Sequence, residues 1–523
     1  MNVASRTRLW PAVWLLLSLP ALGQLGLLFY TVWVRFCYPY DLEWMEGGLL
    51  IHAERLATGQ AIYVEPSVEF IPYPYTPLYP ALLALLGWIN GISYQAGRAI
   101  SILAMVAILG FAIAAIVRDT HRQDRRAGWA GAAIAGGFFA ATYPWLEGWY
   151  DIVRADTLLC ALVLGGLFAV RHWAGTGAGF TGQLRIGVAA AVLALAFLAK
   201  QTGFLFVATG GLVLLWLNWR RIAVYIAVAG TIGLGSTWLL NALSDGWYWT
   251  HVYQVHQSLD FNMDRFYRSF GYMLGRFPAM TGIIAVALAA VAATGLARRR
   301  LPRSCRGFLL WTLIFAISCV IGAMGWAVQW AHFNAYMPAM MMGCVACGSA
   351  LPALAGCASE YSDPKRYSRR SLSGLAGAMA ALVCALQLVA AWWQPAQFIP
   401  THRDRSAGTE LIRKLASIEG EIFVPYHPWY GHLAGKKTYL HRLALMTLNA
   451  SRRGRVADLA RSLHEYRFAA IVLNREPGAE LSQVRFHYRR ASLLPPTMRP
   501  RTYTGAKTFP SQIWLPAGDK PPP

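Results

Sequence analysis

The chain has 523 residues, of which 56% are hydrophobic and only 14% charged, with a net charge of +22 and a mean hydropathy of +0.38. That balance excludes a soluble globular enzyme and points to a polytopic α-helical membrane protein. The basic surplus needs no nucleic-acid partner, because Lys and Arg in cytoplasmic loops together with a basic tail domain account for it.

Eleven apolar runs are long enough to cross ~30 Å of hydrocarbon. They lie near 9–34, 94–117, 127–144, 154–171, 185–200, 203–219, 221–243, 270–297, 307–328, 331–355 and 372–393. Basic residues alternate between the resulting loops. Arg118, Arg122, Arg125 and Arg126, then Arg171, Arg220 and Arg221, then Arg298–Arg306 and Lys365–Arg370 all fall on one side. The opposite side holds most of the acids. By the positive-inside rule the N-terminus is cytoplasmic and the region after 393 is extracytoplasmic, in a cell inner (plasma) membrane. The first run is read as an uncleaved signal anchor. The eight cysteines lie in or beside spans and none follows Cys384, so no disulfide framework is implied. Cys344 and Cys347 read as packing inside a Met- and Ala-rich helix.

The first extracytoplasmic loop, 35–93, carries Asp41, Glu43 and Glu46 directly after the first span. Carboxylates at that depth are costly, which makes them candidates for chemistry. Glu46–Thr58 spaces Leu49, Leu50, Ala53, Leu56 and Ala57 on one face and His52, Glu54 and Arg55 on the other, predicting an amphipathic helix along the membrane surface. Pro66, Pro72, Pro74, Pro77 and Pro80, interleaved with Tyr63, Tyr73, Tyr75 and Tyr79, predict an extended segment at headgroup depth. Leu78–Ile89 reads as a short re-entrant or interfacial helix.

Further along, Asp151, Arg154 and Asp156 stand at the mouth of the fourth span. Lys200, followed by Gln201 and Thr202, stands where the fifth meets the outside, against the charge trend. There a lysine could snorkel or hold a lipid phosphate. The loop 244–269 holds His251 and His256 without the spacing of a zinc site. Gln329, His332 and Asn334 interrupt the ninth and tenth spans on the same side. After Gln394 the pattern becomes that of a small α/β domain: helical Thr409–Ala416, strand-like Glu421–Tyr426, helical Val456–Tyr466 and strand-like Ala469–Asn474, with disorder expected in the Pro-rich end from Leu515. The chain thus divides into a membrane domain, 1–393, and an extracytoplasmic domain, 394–523.

Carboxylates, fixed cations and interfacial tyrosines gathered at an outer rim suit transfer of a group from a lipid-borne phosphate donor to an acceptor hydroxyl. The stretches A-E-R-L-A-T-G-Q-A-I-Y and Y-T-P-L-Y-P after the first-loop acids, R-A-D at Arg154–Asp156 and A-K-Q-T at Ala199–Thr202 resemble those of the integral-membrane GT-C glycosyltransferases. Within that superfamily they are similar to the protein mannosyltransferase-like group that includes the lipid A aminoarabinose transferase. The resemblance covers approximately 1–393.

It implies a GT-C-like bundle and inverting transfer from a polyprenyl-phosphate sugar. A first-loop acid would be the general base, with basic side chains on the donor phosphate. Many members have adjacent Asp-Glu where this chain has D-L-E-W-M-E, so Asp41, Glu43 and Glu46 all stand as candidate bases. Arg154, Asp156, Lys200, Gln201, His332, Asn334, Tyr75 and Tyr79 are the candidate donor and substrate contacts. The partners implied are the bilayer, the lipid-linked donor and an extracytoplasmic acceptor in a glycolipid, polysaccharide or protein. No metal is predicted, although carboxylates at such a site are able to bind one. The rival classes are a transporter or lipid flippase, which would place charges mid-span, and a non-catalytic envelope assembly protein.

Overall fold

The computed structural model describes residues 3–299, 301–360, 369–452 and 456–518. Arg300, Lys365 and Arg366 of the basic loops therefore lie outside the described residues. Every apolar run coincides with a helix: α1 (Val3–Phe36), α4 (Tyr94–Asp119), α5 (Arg125–Trp145), α6 (Ala155–Trp173), α7 (Gly179–Ala199), α8 (Gly203–Asn218), α9 (Ile222–Leu243), and then Pro278–Arg298, Arg303–Ala327, Met337–Glu360 and Arg369–Ala390. By length and apolar composition eight of the described helices can cross a membrane, or nine if the bent pair 374–390 and 395–416 forms one span.

The difference from eleven has physical sources. α8 and α9 run together through Trp219–Arg221 and count once. Yet the Tyr225 hydroxyl donates to the Val207 carbonyl (2.6 Å), which requires the second helix to fold back along the first. α5 is built mostly of Gly and Ala, so its mean apolarity is low, and it lies buried against α1, α4 and Met337–Glu360. A helix at the centre of a bundle needs small residues for close backbone approach more than it needs lipid-facing bulk. Gly131 and Gly348 show this directly, since a Cβ on either would collide with the other's backbone. The run expected over 270–297 is two helices, Met263–Gly275 and Pro278–Arg298, with Pro278 opening the second.

The first loop differs from expectation in one respect. α2 (Glu46–Ala57) exists, but residues 46–53 are buried all round rather than lying on a surface. α3 (Leu78–Asn90) packs on one side of it, and the C-terminal domain on another. His52, expected on the polar face, bonds the Gly48 carbonyl through Nδ1 (2.7 Å) and accepts the Tyr73 amide at Nε2 (2.9 Å). Burial pushes it down to about 4, so the ring is neutral.

The C-terminal domain carries a four-stranded mixed sheet in the order β1 (Glu421–Phe423), β2 (Phe468–Leu473), β4 (Gln512–Pro516), β3 (Tyr488–Leu493). β1 and β2 are parallel and the other two pairings antiparallel. Both expected strands and both expected helices are present, the latter as His402–Ala416 and Ala457–His464. Leu515 and Pro516 close the last strand, so the Pro-rich end is ordered to that point. Residues 519–523 lie outside the described residues.

The domain is bonded to the first loop. The Tyr503 and Thr504 amides donate to the Leu42 carbonyl (2.8 and 2.9 Å), and the Leu440 amide to the Val68 carbonyl (3.0 Å). Arg35, at the end of α1, donates to the Phe398 carbonyl (3.0 Å) and to Thr504 Oγ1 (2.8 Å).

Candidate active site

Three acids within six residues of sequence, Asp41, Glu43 and Glu46, receive three different environments. Glu46, at the first turn of α2, is held on both oxygens by Arg98 (2.9 and 3.2 Å). It also accepts the amides of Leu42 (2.6 Å) and Val153 (2.8 Å). Arg98 spends its other N–H groups on the carbonyls of Tyr38 and Tyr40. Both side chains are fully buried. A carboxylate with this many donors has no lone pair left for a substrate.

Asp41 is equally enclosed. Tyr94 donates to Oδ1 (2.7 Å), as does the Gly47 amide (3.2 Å), and His427 of the C-terminal domain meets Oδ2 at 2.7 Å. Asn474 bonds the far ring nitrogen of His427 (3.0 Å). Burial raises the Asp41 carboxyl, against the pull of His427. Gly47 allows this junction, because a Cβ there would meet the Trp429 side chain.

Glu43 is the exception. Only its Oε2 is engaged, by the Met45 amide (3.2 Å) and more loosely by Arg154 Nη1 (3.5 Å). Among the described residues no hydrogen bond involves its Oε1. Burial pushes the carboxyl up to about 8, with Arg154 opposing and Glu46 and Asp41 adding to the rise.

Glu43 opens onto a cavity of about 380 Å³ at one end of the bundle. Of the residues expected from sequence, Glu43, Tyr75, Arg154, Asp156, Lys200, Gln201, His332 and Asn334 line it together. Asp41, Glu46 and Tyr79 do not. Tyr79 instead donates to the Gly97 carbonyl (2.8 Å), inside the junction of α3 and α4.

Within the cavity Asp156 organises the cations. Lys200 Nζ lies 2.6 Å from its Oδ1, Asn334 donates to the same oxygen (2.9 Å), and Arg154 Nε is 3.8 Å from Oδ2. The chain brings them together because α6 begins at Ala155 and α7 ends at Ala199, so the start of one helix and the end of its neighbour meet at the same level. Arg154 also donates to Tyr75 Oη (3.1 Å) and lies over the Tyr75 and Trp149 rings. Gln201 is tied to the Val252 carbonyl (3.2 Å), and His332 sits 2.9 Å from Glu147 at the rim.

Sequence reasoning missed the part that the C-terminal domain supplies. Arg442, Leu443, Met446, Thr447 and Ala506 close the cavity from above, and Trp44, Trp149 and His256 add to its wall. Arg442 is held by Glu480 (2.5 Å) across Tyr426. In a domain this rich in basic residues nothing in the sequence singles it out. Arg98 did carry a signal, an arginine inside the first turns of a strongly apolar helix, which in a buried setting demands a partner. Among the described residues no group of three His, Cys, Asp or Glu side chains could hold a metal ion.

Comparison with known proteins bears on the fold that carries this site. The model of Glycosyltransferase family 87 matches residues 73–324, just under half of the chain. The crystal structure of ArnT from Cupriavidus metallidurans in the apo state is 14% identical, covering 98% of this chain and 98% of its own, with a TM-score of 0.57. The same protein bound to undecaprenyl phosphate matches over the same shares, at 14% identity and a TM-score of 0.55. The oligosaccharyltransferase AglB from Archaeoglobus fulgidus, in complex with an inhibitory peptide and a dolichol-phosphate, is 12% identical over 89% of this chain and 69% of its own, with a TM-score of 0.49. No curated protein sequence matches significantly.

Proposed function

We propose that this chain, which has the fold of the GT-C membrane glycosyltransferases, transfers a sugar from a polyprenyl-phosphate donor to a hydroxyl of an acceptor outside the cytoplasm. The observation that carries the reading is a single uncommitted carboxylate, Glu43, sharing one cavity with Arg154 and Lys200. The Cupriavidus ArnT, similar in fold over its whole length, binds undecaprenyl phosphate, which supports a lipid-phosphate donor here.

In this reading Glu43 Oε1 takes the proton of the acceptor hydroxyl as that oxygen bonds to the anomeric carbon. The bond from the anomeric carbon to the phosphate oxygen breaks, and the electron pair leaves with the polyprenyl phosphate. Attack opposite the leaving group inverts the anomeric centre. Lys200 uses one of its three donors on Asp156, and Arg154 has N–H groups beyond those bonding Tyr75 and Glu43. The remaining donors are available to the charge that grows on the departing phosphate. Asp156 and Asn334 position Lys200. Tyr75 and Trp149 hold the Arg154 guanidinium against their faces.

Asp41 and Glu46 take structural roles in this account, binding the loop to the C-terminal domain and to α4. The basic cluster of Arg118, Arg171, Arg221, Arg303 and Arg306 stands at the other end of the helices, supporting a cytoplasmic N-terminus and an extracytoplasmic cavity in the inner membrane.

The test is incubation of the purified full chain with labelled polyprenyl-phosphate sugars and envelope glycolipid, polysaccharide and protein fractions. Labelled acceptor appearing with stoichiometric release of polyprenyl phosphate is expected. Movement of the donor across vesicles with no covalent product would replace this reading with that of a flippase.

A further inference from the structure

The end of the bundle far from Glu43 holds a second cavity that glycosyl transfer leaves unexplained. α6 connects the two. Arg154 precedes its first residue and Arg171 lies in its last turn, roughly 25 Å away at 1.5 Å per residue. This far cavity, of about 590 Å³, is walled by Arg171, His172, Arg303 and Arg306, with Asp119 its sole carboxylate among the described residues.

Asp119 is already satisfied. Arg171 meets it at 3.0 Å, and the Trp311 indole N–H donates to it (3.2 Å). Arg303 and Arg306 are exposed, and among the described residues neither takes part in an ion pair. Two uncompensated guanidiniums around one cavity suit an anion, and guanidinium geometry favours phosphate.

The border of the cavity indicates what the phosphate is attached to. Leu217 and Leu301 line it. Trp216 and Trp219, beside Leu217, are 62% and 65% exposed. Large apolar and aromatic side chains at the end of a spanning helix mark the interface where acyl chains meet headgroups. We propose that the far cavity binds the phosphate of an anionic lipid headgroup, in the leaflet opposite the catalytic cavity.

The test uses the full chain purified in detergent and titrated with phosphatidylglycerol, phosphatidylcholine or inorganic phosphate, with bound ligand counted by native mass spectrometry. Arg303→Gln/Arg306→Gln should weaken phosphatidylglycerol about thirtyfold, about fivefold for each guanidinium removed, and leave phosphatidylcholine unchanged. Arg125→Gln/Arg126→Gln removes the same charge from exposed positions at the same end and should leave phosphatidylglycerol binding as in the wild type. Equal losses in the two double variants would show a diffuse surface charge and overturn the site, as would no loss in the first. Binding of inorganic phosphate that depends on Arg303 and Arg306, without a preference for phosphatidylglycerol, would overturn the assignment to lipid. Unchanged gel-filtration behaviour of both variants separates these outcomes from misfolding.

Discussion

Glu43 and Glu46 stand three residues apart at the head of α2, and the regions around them differ in how many donors the fold directs at each. Glu46 receives Arg98 on both oxygens and two close backbone amides. Glu43 receives one amide and a distant arginine. Both are almost completely buried, so exposure does not tell them apart. What separates a structural carboxylate from a reactive one is the saturation of its lone pairs, because only an unsaturated buried carboxylate gains from taking a proton.

That contrast can be broken from either side. Glu46→Ala leaves Arg98 of α4 charged, buried and without its ion-pair partner, a loss of roughly 3–5 kcal/mol. It should be seen as a sharp fall in folded, extractable protein, whereas Glu43→Gln should extract normally. Lys200→Ala should lower transfer by a factor on the order of 100, the usual cost of one charge-stabilising donor, with a folded yield like the wild type.

The pH dependence sharpens the difference. Because the Glu43 carboxyl is pushed from 4.5 up to about 8, the base is available only as pH rises through that value. The rate kcat/KM should climb about tenfold per unit below it and level off above. The same shift makes the folded chain hold a proton that the unfolded chain has lost. Its stabilising contribution is complete below pH 4.5 and declines as pH rises towards 8. A thermal melt series should show that decline in the wild type and lose most of it in Glu43→Gln. The smallest effect belongs to Tyr79→Phe, which removes the hydroxyl's buried hydrogen bonds with the Gly97 carbonyl and Ser101, outside the cavity. About 1 kcal/mol of stability should be lost, with transfer by the folded fraction unchanged.

The bundle was legible in the sequence because lipid-facing helices must be apolar over a fixed length. α5 shows the boundary of that rule: buried against other helices, it is built for close approach and falls short of the apolarity expected of a span. The grouping of Arg154, Asp156 and Lys200 could also be read, since charge at the ends of neighbouring spans has few places to go. The sequence could not rank Asp41, Glu43 and Glu46. Their fates depend on His427, on Tyr94 and Arg98 of α4, and on the Val153 amide, which arrive from three other parts of the chain. The same holds for Arg442 and Thr447, brought over the cavity by a domain whose sequence reads as separate. The sequence of α2 reads as a surface helix, but its outer face is covered by that same domain, through Trp429 against Gly47.

The central claim is that Glu43 removes the acceptor proton while the cations nearby hold the donor. Purified Glu43→Gln and wild type, reconstituted side by side with a labelled polyprenyl-phosphate sugar, test it with two readings on one sample: donor retained and sugar transferred. The account predicts that the variant retains the donor as the wild type does while transfer falls by a factor of about 10²–10⁴. Transfer by Glu43→Gln at the wild-type rate would contradict it.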